Sequence, residues 1–379
     1  MFDYEIMRLI WWGLLGVLLT GFAVMDGLDF GTAALMPFFG KSDEDRRVII
    51  NTVGPVWEGN QVWLILGAGA IFAAFPDIYA VAFSGFYLAM LIVLSMLILR
   101  PVSFKFRSKM PSARWRTFWD RALCLSGTVP PVIFGVAVGN ALVGAPFTLD
   151  DTMRMTYTGS LFGLLNPFAL LAGIVSLSMT LTQGAAWIAL KTEGDVQERA
   201  KKWIKIFALA TIALFALAGL WVGLGIDGYR ITSAIDMNGP SNPLLKTVVR
   251  ENGAWLANYI TQPLTLIVPA LALVGCFVVL VATAARKHLL AFVGSSLTIT
   301  SIVATAGVSM FPFMLPSSQD PNVSLTLWDA SSSKSTLIIM AFCAAVFVPI
   351  ILAYTSWVYS VLRGKVTKAY INEQGGNVY

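Results

Sequence analysis

The sequence predicts an all-α integral membrane protein of about nine transmembrane helices. Apolar residues make up 57% of the 379 and charged ones only 12%, which leaves too little polar surface to cover a soluble globule of this length. Apolar stretches of roughly 20 residues or more recur along the chain, each long enough to cross the bilayer as a helix that satisfies its own backbone hydrogen bonds. No stretch alternates with the two-residue period of a membrane barrel.

The first span covers about 8–38. The leading MFDYEIMRLI is acidic where a signal peptide is basic, and the apolar run behind it is too long for a signal core, so it is expected to stay as the first helix. Further spans follow at about 48–75, 78–99, 122–146, 161–190, 203–226, 261–285, 289–314 and 337–361. The segments 227–260 and 315–336 have no low-complexity character and read as ordered caps. Short loops keep consecutive helices as antiparallel neighbours. Two groups of four with a peripheral ninth helix are compatible with this, but loop lengths alone do not fix that grouping.

Charge gives the bundle a direction. With nine spans, 20 of the 26 Lys and Arg residues fall on one side, counting Arg100 at the end of the third span. The other side keeps Arg8, Arg154, Arg230, Lys246, Arg250 and Lys334. Excess Lys and Arg in short loops marks the cytoplasmic face, so the carboxyl terminus is expected inside and the amino terminus outside. The net charge of +5 therefore reports orientation and not a nucleic-acid footprint.

Of the 21 acidic residues, Asp26, Asp29 and Glu58 lie well inside apolar spans, where a charge costs several kcal/mol unless paired, hydrated or neutralised. Asp26 and Asp29 share one face of the first helix. Glu58, in VGPVWEGNQVW, is expected about 15 Å into a continuous second helix at 1.5 Å per residue. All three sit toward the cytoplasm. Gly54 and Pro55 loosen the backbone one turn before Glu58, with Asn60 and Gln61 just beyond it. Three readings stay open: an inward-facing proton wire ending near Glu58, structural hydrogen bonding between helices, and a hinge at Gly54 and Pro55.

Other residues exclude more than they assign. His288 is the single histidine, so this chain alone cannot ligate a haem through two histidines or build a three-histidine metal centre; a solvated surface role is expected for it. Cys124, Cys276 and Cys343 show no metal-site spacing and read as small buried apolar residues. No metal site and no catalytic residue is assigned. Small residues at 67–74 and in the third span read as close helix packing, with a narrow gas tunnel as the alternative. Trp57 and Trp63 flank Glu58 and shape whatever it faces.

The runs FDYE, IWW, DGLDFG, DEDRR, WEGNQVWL, FSGFYLAM, SNPL, SMFPFMLPSS and SLTLWDASSS, taken together and in this order, resemble subunit II of bacterial cytochrome bd ubiquinol oxidase. The likeness runs from end to end. It implies a respiratory-chain oxidoreductase complex in the cell inner membrane that oxidises quinol, reduces oxygen to water and takes the protons from the cytoplasm, generating proton-motive force. It also implies a heterodimer with a subunit I that ligates heme b and heme d, and some relatives carry a structural quinone or a small single-helix accessory subunit. The resemblance implies a first four-helix bundle over about 1–150, a second over about 151–316 and a final helix over about 337–361. By position it places the proton-path carboxylate on Glu58, with Asp26 and Asp29 as polar neighbours, and sets Trp63, with Trp57 nearby, at an oxygen tunnel or facing haem. Some relatives carry aspartate at position 58 and histidine at position 56; Glu58 keeps the carboxyl, whereas Val56 removes a second titratable group. Lipid, quinol and oxygen are the other expected partners. A proton-coupled secondary transporter also explains buried carboxyls and proline-broken helices at Pro167, Pro263 and Pro312.

Overall fold

The computed structural model describes residues 3–374. The chain forms helices α1 (Tyr4–Phe39), α2 (Asp43–Val53), α3 (Trp57–Ala74), α4 (Pro76–Gly85), α5 (Tyr87–Phe106), α6 (Ala113–Val143), α7 (Pro167–Lys191) and α8 (Gly194–Leu224). After these come α9 (Ala257–Thr261), α10 (Ile267–Ala284), α11 (His288–Met310), α12 (Lys334–Val361) and α13 (Lys368–Gln374). Among the described residues, eight helices are long and apolar enough to cross a membrane, and α3 with α4 forms one further apolar pair bent by 119°. The expected all-α membrane architecture of about nine spans is what the chain adopts.

Two expected spans are redrawn. The stretch 48–75 is not one helix: α2 ends at Val53, the Val56 N–H turns back to the Val53 carbonyl at 2.9 Å, and α3 starts at Trp57. Pro55 supplies no N–H to a continuous ladder and its ring opposes the preceding carbonyls. With 11 residues, about 16 Å at 1.5 Å each, α2 is too short to cross a bilayer. The third span runs over Tyr87–Phe106 instead of 78–99, because Pro76 takes the first position of a separate helix α4, which closes at Gly85. This shift moves Arg100 from a span end into the body of α5.

The middle of α1 is the axis of the fold, packing on α3, α6, α7 and α11. Its approach to α7 is close enough that a Cβ on Gly31 would lie 2.2 Å from the Thr180 carbonyl oxygen, so only glycine fits there. Helices α7, α8, α10 and α11 pack in a closed ring of neighbours, α5 packs on α6, and α12 touches α1 and α3 along an otherwise uncovered length.

Both expected caps are ordered. One holds the antiparallel pair β3 (Asp227–Ile231) with β4 (Val248–Asn252), the other β5 (Phe313–Leu315) with β6 (Leu325–Thr326), and a third pair, β1 (Phe147–Leu149) with β2 (Met155–Tyr157), precedes α7. Arg8 is not a solvated loop charge but fully buried, donating to the Met237 and Gly239 carbonyls at 2.7 and 3.1 Å and to Ser331 Oγ at 2.8 Å, which ties α1 to both caps. Among the cysteines, Cys276 is buried as expected, Cys124 is half-buried and Cys343 is exposed on α12. The three cited prolines do not break spans: Pro167 begins α7, Pro263 begins a short 3-10 turn ahead of α10, and Pro312 lies beyond the end of α11. The proline argument for a transporter therefore falls.

Candidate functional site

The deepest polar cluster is assembled from four helices around the middle of α1. Asp26 and Asp29, one turn apart, both have no solvent exposure. Asp26 is held by the Arg100 guanidinium from α5 in a two-pronged ion pair, whose second contact, Nη2 to Oδ2, is 3.3 Å, and both side chains are completely enclosed. The guanidinium also stacks over the Phe30 ring with its Cζ 4.1 Å from the centroid. Such a pair survives at depth because the two charges neutralise each other, and removing either leaves an uncompensated charge.

Asp29 has no such partner. Its Oδ2 accepts from Asn60 Nδ2 at 2.9 Å, while its Oδ1 is buried without a hydrogen bond. Asn60 is 1% exposed, and its Oδ1 accepts from the Tyr359 hydroxyl of α12 at 2.8 Å. A phenol, an amide and a carboxyl thus run in series from the last long helix to the first. The sequence marks Asn60 only as a polar neighbour of Glu58 and does not mark Tyr359, since a lone phenol in an apolar helix carries no spacing signal. Arg100 reads as a span-end charge in the sequence because apolar composition starts the third span nine residues too early.

Glu58 is not brought into this cluster. It lies in the first turn of α3 and is exposed at the side of the chain, on a stripe with Val62, Ile65 and Phe72. Trp57 and Trp63 turn the other way and are buried in the chain's own core, 6% and 5% exposed. The Trp63 ring lies against α1 where a Cβ on Gly21 would meet it at 2.5 Å, and Trp57 packs on Phe104 at 5.7 Å between centroids. Both indole nitrogens are buried without hydrogen-bond partners. Glu58 and Asn60 therefore present two sides of one helix, the first outward and the second inward to Asp29.

Below this cluster lies an ionic network that the DEDRR run builds. Asp120, 2% exposed on α6, accepts from Arg107 Nε at 2.5 Å and Arg46 Nη1 at 2.7 Å, and Arg107 reaches on to Asp43 at 2.9 Å. Asp45 bonds Arg199 of α8 at 2.7 Å and Lys368 of α13 at 2.8 Å. Burial pushes the Asp45 carboxyl up, but Lys368, the Lys41 backbone N–H and Arg199 outweigh it and hold the group below its ordinary value. Asp120 is a buried acid that sequence reading places in a loop, because α6 begins at Ala113, well before the apolar stretch. Among the described residues no group of three or more His, Cys, Asp or Glu side chains is arranged to hold a metal.

A many-spanned helical subunit whose centre is a neutralised ion pair beside a hydrogen-bonded carboxyl is the class of membrane protein these features define. A sequence model of the family described as cytochrome bd terminal oxidase subunit II matches residues 7–362, and the chain belongs to that family. It is 50% identical over its full length, and over the full length of the relative, to cytochrome bd-I ubiquinol oxidase subunit 2 of Escherichia coli strain K12. Identity is 48%, again with both chains fully covered, to a probable cytochrome oxidase subunit 2 of Haemophilus influenzae. To the Bacillus subtilis cytochrome bd ubiquinol oxidase subunit 2 it is 32% over 362 residues, covering 94% of this chain and 96% of that one. The fold matches a chain in the structure of bd oxidase from Geobacillus thermodenitrificans with a TM-score of 0.71 at 14% identity, covering 94% of this chain and 98% of that one.

Proposed function

We propose that this chain is the proton-conducting, non-haem-ligating subunit of a quinol-oxidising, oxygen-reducing complex of the bacterial inner membrane. The observation that carries the reading is the series Tyr359–Asn60–Asp29 beside the closed Asp26–Arg100 pair. Oxygen reduction to water consumes protons, and a path to the reacting centre needs titratable or hydrogen-bonding groups at membrane depth. Asp29 Oδ1, with no partner of its own, is the atom that takes a proton; Arg100 keeps Asp26 from competing for it. Glu58, on the outer side of the same helix as Asn60, hands it across to subunit I. Val56 leaves no second titratable group beside it, so Glu58 acts alone at that edge.

Because this chain's single histidine cannot supply two-histidine ligation, we place heme b and heme d, the centres that carry the electron chemistry, in subunit I. The packing supports two four-helix bundles, α1, α3, α5 and α6 against α7, α8, α10 and α11, with α12 at the periphery. The amino terminus lies outside and the carboxyl terminus in the cytoplasm. Trp63, enclosed against α1, lines an oxygen path within the chain, and a structural quinone or single-helix accessory subunit belongs to the same assembly. The complex purified through this chain is expected to absorb visible light and to contain a histidine-bearing membrane partner; a colourless protein purifying alone would contradict the reading. Glu58→Gln is expected to slow oxygen consumption at least tenfold while leaving the haem spectrum and assembly unchanged. Full turnover in that variant removes Glu58 from the path.

A further inference from the structure

The cytoplasmic corner where α8, the α10–α11 turn and the segment after α12 converge is not explained by proton transfer. Lys201 of α8, Arg286 of the turn and Lys365 of the tail all lie within electrostatic reach of His288, and Glu198 is the one acid among these neighbours. Glu198 is already taken by Lys201 at 2.6 Å, while among the described residues no ion pair engages Arg286 or Lys365. His288 is not fully solvated as expected: it is half-buried, with an unpartnered Nδ1.

Two features fix the backbone that carries Arg286 and Lys365. Lys191 Nζ donates to the Gly364 carbonyl at 3.0 Å and the Val366 N–H to the Lys191 carbonyl at 2.8 Å, so the tail is pinned beside the helix ends. The α10–α11 turn closes as a Schellman motif, with the Lys287 N–H on the Ala282 carbonyl at 2.8 Å and the Arg286 N–H on the Thr283 carbonyl at 3.3 Å. Arg286 occupies its left-handed position at φ +56°, where glycine is favoured and a side chain is penalised.

Apolar surface adjoins the charges. Only 11% of the most apolar stretch of α8 is buried within the chain, and Trp203, two residues along α8 from Lys201, and Leu289, next to His288, stand 42% and 63% exposed. Acyl chains along α8 under a phosphate at Arg286 and Lys365 match this order of surfaces, whereas a basic patch on a water-soluble face has no such apolar shelf. We infer that Arg286, Lys365, Lys201 and His288 form a binding site for the phosphate of an anionic phospholipid of the cytoplasmic leaflet.

Native mass spectrometry of the detergent-solubilised two-subunit complex, with phosphatidylglycerol or phosphatidylcholine added, tests this. The wild-type complex is expected to retain phosphatidylglycerol preferentially, and the Arg286→Gly, Lys365→Gln double variant to bind it about thirtyfold more weakly, at about 1 kcal/mol per cation. Glycine suits the left-handed position, so the double variant is expected to melt no lower than wild type in lipid-free detergent. Lys365→Gln alone leaves the turn intact and is expected to weaken binding about fivefold. Equal retention of the two lipids or unchanged occupancy in both variants would each overturn the proposal. So would a photo-crosslink from position 286 to subunit I, which would make the corner a protein interface.

Discussion

Asp26 and Asp29 differ in what surrounds them, and that difference sets what each substitution does. Asp26 is half of an enclosed ion pair with Arg100, so Asp26→Asn leaves a buried guanidinium uncompensated, at a cost of about 3–5 kcal/mol. Poor recovery of assembled complex and a lowered melting temperature are expected. Replacing both partners, Asp26→Leu with Arg100→Met, removes the charges together and is expected to restore assembly; a double variant as unstable as the single one would show that the pair does more than neutralise itself. The two aspartates were legible in the sequence because intramembrane acids stand out. Their separate roles were not, because Arg100, Asn60 and Tyr359 come from segments 31 to 299 residues apart along the chain from the groups they bond. Glu58 was legible as a carboxyl in an apolar region, but which side of α3 it occupies depends on a break at Pro55 that local pattern does not phase.

At the scale of elements, α13 is docked on α2 through Lys368 and Asp45, with Ile371 fully buried. Asp45 is held below its ordinary carboxylate value of roughly 3.9, so its contribution is present above that pH and is lost as pH falls through the lower, folded value. The tail is therefore expected to resist pepsin at about pH 4.5 and to be cut only in stronger acid. With Lys368→Gln the cleavage should already appear at the higher pH; equal resistance in both proteins would show that the docking rests on Ile371 alone. This element was hidden in the sequence, where the last expected span ends at about 361 and no helix is expected after it. The break at Pro76 falls where the sequence ends one expected span at 75 and starts the next at 78, but apolar composition beyond it hid that α4, turned by 119° from α3, closes at Gly85 after only 10 residues.

For the whole molecule, nine apolar segments were enough to give the architecture, since every backbone group in lipid must be satisfied within a helix. The grouping of those helices was not readable, because the contacts that define it, α1 on α7 above all, join glycines far apart in the chain, such as Gly31 and Gly184. The basic residues predict the orientation, and cysteines placed in turn at the exposed Ala234 and Gly364 of a cysteine-free complex test it: a membrane-impermeant maleimide applied to whole spheroplasts should label the first and spare the second. Labelling in the opposite order would invert the direction of the proton path and require Asp29 to be fed from outside. The central claim, that Asp29 carries the proton consumed at the oxygen-reducing centre, is tested most directly by proton uptake during a single turnover of the purified Asp29→Asn complex. Uptake at least tenfold slower, with an unchanged haem spectrum and unchanged quinol affinity, is the predicted result; uptake at the wild-type rate would contradict it.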